Sequence, residues 1–207
     1  QTNLLGSNDA RIVFENTNYL STFGTLKYDS FDDKYFPTKG LLFEGNFNWY
    51  FFGSEDIVPY NSFSIAKAKI AYVFSPINNF SITIGTQGGF KLGGKQRRSL
   101  DFFLGGYGYK DINNLVPFLG LDALQLRGNT YLKSSCVFNL QASKNTYLFA
   151  AINIANVGDD LFEDGSWIRE IPYTGYAGGI AFKTLLGPAK LTYAYTPELN
   201  SSQWYVN

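Results

Sequence analysis

Residues 40–53 read GLLFEGNFNWYFFG, and their hydrophobicity alternates with a period of two. The odd positions carry Leu41, Phe43, Phe47, Trp49 and Phe51, whereas the even positions include Glu44, Asn46 and Asn48. Because successive side chains of a β-strand point to opposite faces, this segment predicts a strand with one apolar and one polar face. It is longer than the ~5–6 residues of most soluble strands, and it exceeds the ~9–11 residues that a tilted strand needs to cross a bilayer.

The same alternation recurs on both sides of this segment. It predicts strands at 11–17, 19–29, 40–53, 62–75, 79–90, 99–109, 131–142, 145–156, 174–185, 188–197 and from 202 onward. Helical periodicity nowhere persists, and tight turns alternate with longer links. Short turns at one rim and long loops at the other are typical of an outer-membrane barrel, so we predict an all-β, antiparallel transmembrane β-barrel.

The period of two also predicts which side chains face the membrane. We expect lipid contact for Leu41, Phe43, Phe47, Phe51, Ile82, Phe138 and Leu191, and a position toward the lumen for Glu44, Asn46, Lys67, Lys69, Lys133, Asn139 and Lys190. A soluble, lipid-binding β-barrel is the alternative, and it would place Phe43, Phe47 and Trp49 in a dry centre.

Composition narrows the classes of function. Aromatic residues make up 18% of the chain, and charged residues make up 16%, against ~25% in soluble domains. Seventeen basic and seventeen acidic residues cancel, so no net field attracts a nucleic acid. The chain has no histidine, which excludes histidine-based triads and the commonest zinc ligand. No run approaches the ~18 apolar residues of a transmembrane helix.

Two motifs and their order resemble a known superfamily. The turn Phe36-Pro37-Thr38-Lys39-Gly40 follows an aspartate-rich stretch, and Leu126-Arg127-Gly128-Asn129 lies roughly ninety residues later, with five predicted strands after it. This arrangement resembles the barrels of outer-membrane assembly and two-partner-secretion proteins, the bacterial surface antigen type. The resemblance implies about sixteen strands, of which 10–11 are present. Residues 1–207 would therefore be the C-terminal portion of a longer barrel, without its N-terminal strands and final residues.

The resemblance also implies a role for the Arg-Gly loop. In the superfamily this loop folds back into the lumen, where its arginine is held by the inner wall. The matching wall position here is Asn153, where the assembly proteins carry an aspartate, so Asn153 is the candidate partner of Arg127.

A narrower resemblance concerns residues 113–122, 128–133 and 153–157. They are similar to the C-terminal barrel of patatin-like phospholipases from Bacteroidetes, in which an esterase domain with a Ser-Asp dyad precedes the barrel. No Gly-x-Ser-x-Gly motif occurs in this chain, so the resemblance implies a membrane-anchoring or translocation barrel that is not itself an enzyme. An outer-membrane protein insertase or a two-partner-secretion translocator is the alternative.

The sequence therefore predicts no catalytic residue, no cofactor site and no metal site. The acidic string from Asp159 to Asp164 lacks the ligand spacing of an EF-hand. The expected partners are outer-membrane lipid, a second copy in a homodimer or other outer-membrane proteins, and no nucleic acid. The expected location is the bacterial outer membrane.

Overall fold

Nine long antiparallel strands form one continuous sheet in the computed structural model, which describes residues 18–54, 60–93, 100–106, 114–185 and 187–206. They are β1 (Tyr19–Asp29), β2 (Gly40–Gly53), β3 (Phe63–Ile77), β4 (Phe80–Leu92), β8 (Thr130–Ser143), β9 (Thr146–Gly158), β10 (Tyr173–Thr184), β11 (Gly187–Thr196) and β12 (Ser201–Val206), and they pair in that order. Between β4 and β8, the short strands β5 (Phe102–Leu104), β6 (Leu115–Val116) and β7 (Leu126–Gly128) form a second sheet in the order β6-β5-β7. Two single-turn helices, α1 (Leu161–Asp164) and α2 (Ser166–Arg169), follow β9.

Most of the predicted strands are found within a few residues of their expected ends. The predicted strand at 99–109 is wrong as a wall strand, because among its described residues, 100–106, only Phe102–Leu104 is extended and it belongs to the small sheet. Gly105 and Gly106 follow it at φ 143° and 69° and end the extended run. The predicted strand at 11–17 lies outside the described residues.

The connections sort into two rims. Ile77–Phe80, Ser143–Thr146 and Thr184–Gly187 are tight links at one rim, which is called the short-turn rim here and which also carries the link from β1 to β2. The links from β2 to β3, from β4 to β8 and from β9 to β10 lie at the opposite rim and are longer than these three tight links. The exceptions are the ten-residue link from β1 to β2 and, at the opposite rim, the four-residue link from β11 to β12. Such asymmetry matches the prediction made from the spacing of turn residues.

The two faces of the sheet differ as the alternation predicted. Phe47 and Trp49 are 47% and 46% exposed on the outside of β2, so the soluble barrel with these rings in a dry centre is wrong. Lys133 and Lys190 point inward, where Lys133 donates a hydrogen bond to an interior carbonyl and Lys190 lies over interior aromatic rings. Within the described ranges, no helix combines the length and apolar character needed to span a membrane.

The inner wall is not uniformly polar. Ile65 and Val73 share the inward face of β3 with Lys67 and Lys69 and are almost completely buried. Ile65 packs against side chains of the link between β4 and β8, so a membrane strand can carry hydrophobic residues on both of its faces.

Candidate functional site in the barrel interior

The link from β4 to β8 folds back against the inner wall. Its described residues, 100–106 and 114–128, are called the interior segment. The side chains that the segment buries are those of Phe102, Leu104, Val116, Phe118 and Leu121, and they pack on Phe63, Ile65, Tyr131 and Ala155 of the wall. Each large apolar side chain contributes about 1.5–3 kcal/mol when fully buried, so hydrophobic packing holds the segment inside.

A buried ion pair joins the interior segment to β4. Lys91 lies on the inward face of β4, and its Nζ is 2.5 Å from Oδ1 of Asp101, with both side chains almost inaccessible to solvent. Two charges removed from water are stable only as a closely hydrogen-bonded pair, so this contact fixes the position of the segment more than it adds net stability.

Arg127 completes this charge network from the other end of the segment. Its Nε lies 3.7 Å from Oδ2 of Asp101, so the carboxylate is shared between a lysine of the wall and the arginine of the Arg-Gly motif. Arg127 thus forms an ion pair with Asp101, an acid of the same link. In the arrangement that the resemblance implied, the inner wall holds the arginine of the link. Here the wall instead supplies a cation, Lys91, and the link supplies the acid, Asp101.

Asn153 lies on the inward face of β9, opposite Ser135 of β8 and Gly175 of β10, and it is buried. Its place on the inner wall fits the parity of β9. A role for Asn153 toward Arg127 stays a prediction.

Asn129 anchors the end of the Arg-Gly motif. Its backbone N–H donates to Asp159 at 3.1 Å, its side-chain amide donates to Asp160 at 3.0 Å, and its Oδ1 accepts from the backbone of Asp160 at 2.9 Å. Two of the acidic residues after β9 therefore bind an amide of the loop. Leu126 and Gly128 are the ends of β7, which pairs with β5.

The tip of the interior segment reaches the last strands of the chain. Thr196 donates a hydrogen bond to the carbonyl of Leu119 at 2.6 Å, and Tyr205 donates to the carbonyl of Leu121 at 3.2 Å. Between them Gly120 has φ 78°, and a Cβ there would lie 2.5 Å from the backbone of Tyr195. Only glycine allows the tip to approach β11 this closely.

The Phe-Pro-Thr-Lys-Gly motif lies at the short-turn rim. Residues 30–39, which connect β1 to β2, are called the rim turn, and Gly40 opens β2 at φ 126°. Asp32 accepts hydrogen bonds from the backbone and hydroxyl of Thr38 and from the backbone of Lys39. Burial by itself would raise the pKa of Asp32, but these donors hold that pKa at about 2.

Asp33 binds both its own turn and a distant strand. Its Oδ1 accepts from the backbone N–H groups of Tyr35 and Phe36, and its Oδ2 lies 2.6 Å from Nζ of Lys183 in β10. The pKa of Asp33 is lowered to about 2. The hydrogen bond from Lys183 is the main cause, and the two backbone donors add to its effect. The motif residue Phe36 is buried and stacks on Tyr147 of β9 at 3.9 Å between ring centroids.

Sequence reasoning missed Lys91 and Asp101. The sequence signal for this pair was Asp101, the single acid in the otherwise apolar run Leu100-Asp101-Phe102-Phe103-Leu104, together with Lys91 on the polar face of β4. The basic run from Lys95 to Arg98 lies outside the described residues. The chemistry of the residues brought together here is the fixing of an interior segment by charge, hydrogen bonds and packing.

Comparison with known proteins decides the family. A family model described as the OMP85 superfamily matches residues 1–207. The chain belongs to the OMP85 superfamily. The superfamily predicted from the two motifs is thereby confirmed, and with it the transmembrane barrel fold and the location in the bacterial outer membrane.

Among solved structures, this OMP85 barrel is similar to BamA from Haemophilus ducreyi lacking POTRA domains 1–3. The TM-score is 0.66 at 11% sequence identity, over 90% of this chain and 41% of that chain. At this identity the similarity concerns the fold, and the chain spans less than half the length of that structure. No curated protein matches the sequence significantly.

Proposed function

We propose that this OMP85 chain is the membrane-anchoring barrel of a patatin-like phospholipase. The observation that supports this most is the overlap between the resembling residues and the residues that fill the lumen. Pro117 and Leu119 lie in the resembling stretch 113–122, and both are held by hydrogen bonds to the wall. Lys133 of the second stretch supplies one of these bonds, so the resemblance concerns residues that keep the interior occupied.

An occupied interior suits an anchor better than an open pore. The wall strands place apolar rings toward the membrane, while the lumen is packed by a segment that a buried ion pair joins to β4. Hydrolysis would then be carried by a domain outside these residues. The barrel would hold that domain next to its lipid substrate, which raises the local substrate concentration without any added contact.

The test uses the complete protein in vesicles of phospholipid with fluorescent acyl chains. We expect release of fatty acid, loss of release when the nucleophilic serine of the preceding domain is replaced by alanine, and unchanged membrane insertion of that variant. A complete protein that inserts and leaves the lipid intact would contradict the proposal, as would a preceding sequence without an esterase motif.

A second candidate is an insertase or a two-partner-secretion translocator. Its support is the Arg127–Asp101 ion pair, because an Arg-Gly loop held in the lumen is what the superfamily resemblance implied for such proteins. Proteoliposomes with the complete protein would then accelerate the folding of an added unfolded outer-membrane protein, whereas the anchor would leave its rate unchanged. The proposed partners are membrane lipid and a second copy or another outer-membrane protein, which cross-linking in intact cells tests.

A further inference from the structure

The rim turn joins two parts of the sheet that are far apart in strand order. It leaves from β1 and β2, yet Asp33 pairs with Lys183 of β10 and Phe36 stacks on Tyr147 of β9 with the rings nearly parallel, 4° apart. The strands β3, β4, β8 and β9 lie between β2 and β10 along the sheet. The turn therefore crosses the lumen at the short-turn rim instead of lying along the edge of its own hairpin.

The contacts of Phe36 cover the inner wall beneath it. Phe36, Phe149 and Ala181 form one buried cluster, and the ring of Phe149 lies on Gly179, where a Cβ would be only 2.8 Å from it. Gly179 is the register partner of Thr192 in β11. Thr192 is fully buried, and its hydroxyl has no hydrogen-bond partner in the described parts of the chain.

Lys190 favours release of the rim turn from the inner wall. Its Nζ lies 5.5 Å from the centroid of Phe36 and 5.8 Å from that of Phe149. Cation–π contact compensates only part of the lost hydration of an ammonium group, and within the described ranges no acidic side chain forms an ion pair with it. If Phe36 leaves, Lys190 loses one of the two rings that cover it and regains water.

We propose that the rim turn is a gate at the short-turn rim of the lumen. The closed state is held by the stacking of Phe36 and by the Asp33–Lys183 pair, and the open state is favoured by hydration of Lys190. An element with contributions that favour each of two states can populate both of them. The proposal concerns access to the lumen and does not depend on which function the complete protein has.

The experiment measures how fast water-soluble reagent reaches the wall under the turn. The complete protein, purified in detergent micelles, carries Thr192→Cys together with Cys136→Ser and the replacement of any cysteine outside these 207 residues by serine. The rate at which a charged methanethiosulfonate reagent modifies the introduced thiol then measures how often the rim turn opens. Because modification follows the open population when closing is fast, Phe36→Ala should raise its rate ~10-fold or more.

Tyr35→Ala is the matched control, because Tyr35 is an exposed aromatic residue of the same turn. It should leave the rate unchanged, and heat-dependent migration in gels checks that both variants retain the folded barrel. Equal rates for Phe36→Ala and the parent protein, or an equal rise for Tyr35→Ala, would overturn the gate.

Lys190→Met supplies a second test that does not require the loss of a packing group. It removes the ammonium that favours opening, so the rate at which the thiol introduced by Thr192→Cys is modified should fall below that of the parent. A rate that rises with this variant would show that Lys190 holds the turn closed, and the proposed balance would be wrong.

Discussion

Two ion pairs of this barrel differ sharply in their exposure. The side chains of Lys91 and Asp101 are 1% and 3% exposed, whereas those of Lys27 and Glu44 are 57% and 36% exposed. Water screens the second pair, so its net contribution to stability is expected to be about 0–1 kcal/mol. In the first pair, the loss of Asp101 removes the carboxylate that lies against the buried ammonium group of Lys91.

Asp101→Asn should therefore lower the free energy of unfolding by about 3–5 kcal/mol, and Glu44→Gln by less than ~1 kcal/mol. Guanidinium unfolding in micelles, followed by tryptophan fluorescence, measures both. The double variant Lys91→Met with Asp101→Leu should recover most of the loss, because it removes both charges together. Similar losses for Asp101→Asn and Glu44→Gln would contradict the assignment of a buried pair.

The lowered pKa of Asp33 predicts how its contribution to stability depends on pH. Its pKa is lowered from 3.8 to about 2, chiefly by the hydrogen bond from Lys183, so the ionised form is favoured in the folded protein. Its stabilising contribution is complete above the ordinary value and is lost as the pH falls through about 2.

Lys183→Gln should raise the pKa of Asp33 toward 3.8, as measured by ¹³C NMR of the carboxyl carbon in micelles. Lys144→Gln, in the exposed turn between β8 and β9, should leave it unchanged. If both variants titrate alike, Lys183 is not the cause of the shift.

The strand β2 tests the assignment of faces at the scale of one element. Phe47 points outward near the middle of the strand, and Asn46 points inward beside it. Phe47→Arg should cost about 2–4 kcal/mol, because a charge at the bilayer midplane loses its hydration, whereas Asn46→Arg should cost far less. Unfolding titrations in lipid vesicles provide the comparison, and equal losses would count against a lumen on the Asn46 side.

The close approach of the tip of the interior segment to β11 can be tested by substitution. Because the Cα of Gly120 approaches the backbone of Tyr195 and Thr196, Gly120→Val should push the tip away from β11. Amide hydrogen exchange should then increase in residues 117–122 and stay unchanged in β2 and β3. Unaltered protection of the tip would mean that it tolerates a side chain at this approach.

For the whole molecule, we expect the interior segment to determine whether the lumen conducts. The segment contacts β3, β4, β8, β11 and β12, so it occupies the space that these strands enclose. Replacement of residues 114–125 by a Gly-Ser linker of equal length should raise the single-channel conductance of the complete protein in planar bilayers. A large conductance before the replacement would contradict an occupied lumen.

The membrane fold could be predicted from particular residues. In β2, apolar rings at alternate positions indicated a strand with one membrane face, and the structure exposes Phe47 and Trp49 on that face. The strand expected at 99–109 shows the limit of this reasoning. Phe102 and Leu104 alternate like membrane residues, but they are buried in the lumen, and periodicity carries no information about which apolar surface lies opposite.

The ion-pair partners of the buried and rim charges could not be predicted from the sequence either. Arg127 was singled out from its motif, but Lys91, Asp101 and Lys183 could not be assigned partners, because each pairs with a residue whose proximity depends on how the sheet curls. The link between Asp33 and Lys183 spans 150 residues of chain.

By itself the sequence determined the long wall strands, which of their faces contacts lipid, and the superfamily, because backbone geometry imposes a period of two on any strand that separates lipid from an enclosed interior. Only the tertiary structure decided which polar groups meet inside. Curvature of the sheet brings the rim turn to β9 and β10 and the interior segment to β4 and β11, and buried charges are stable only where such distant partners converge.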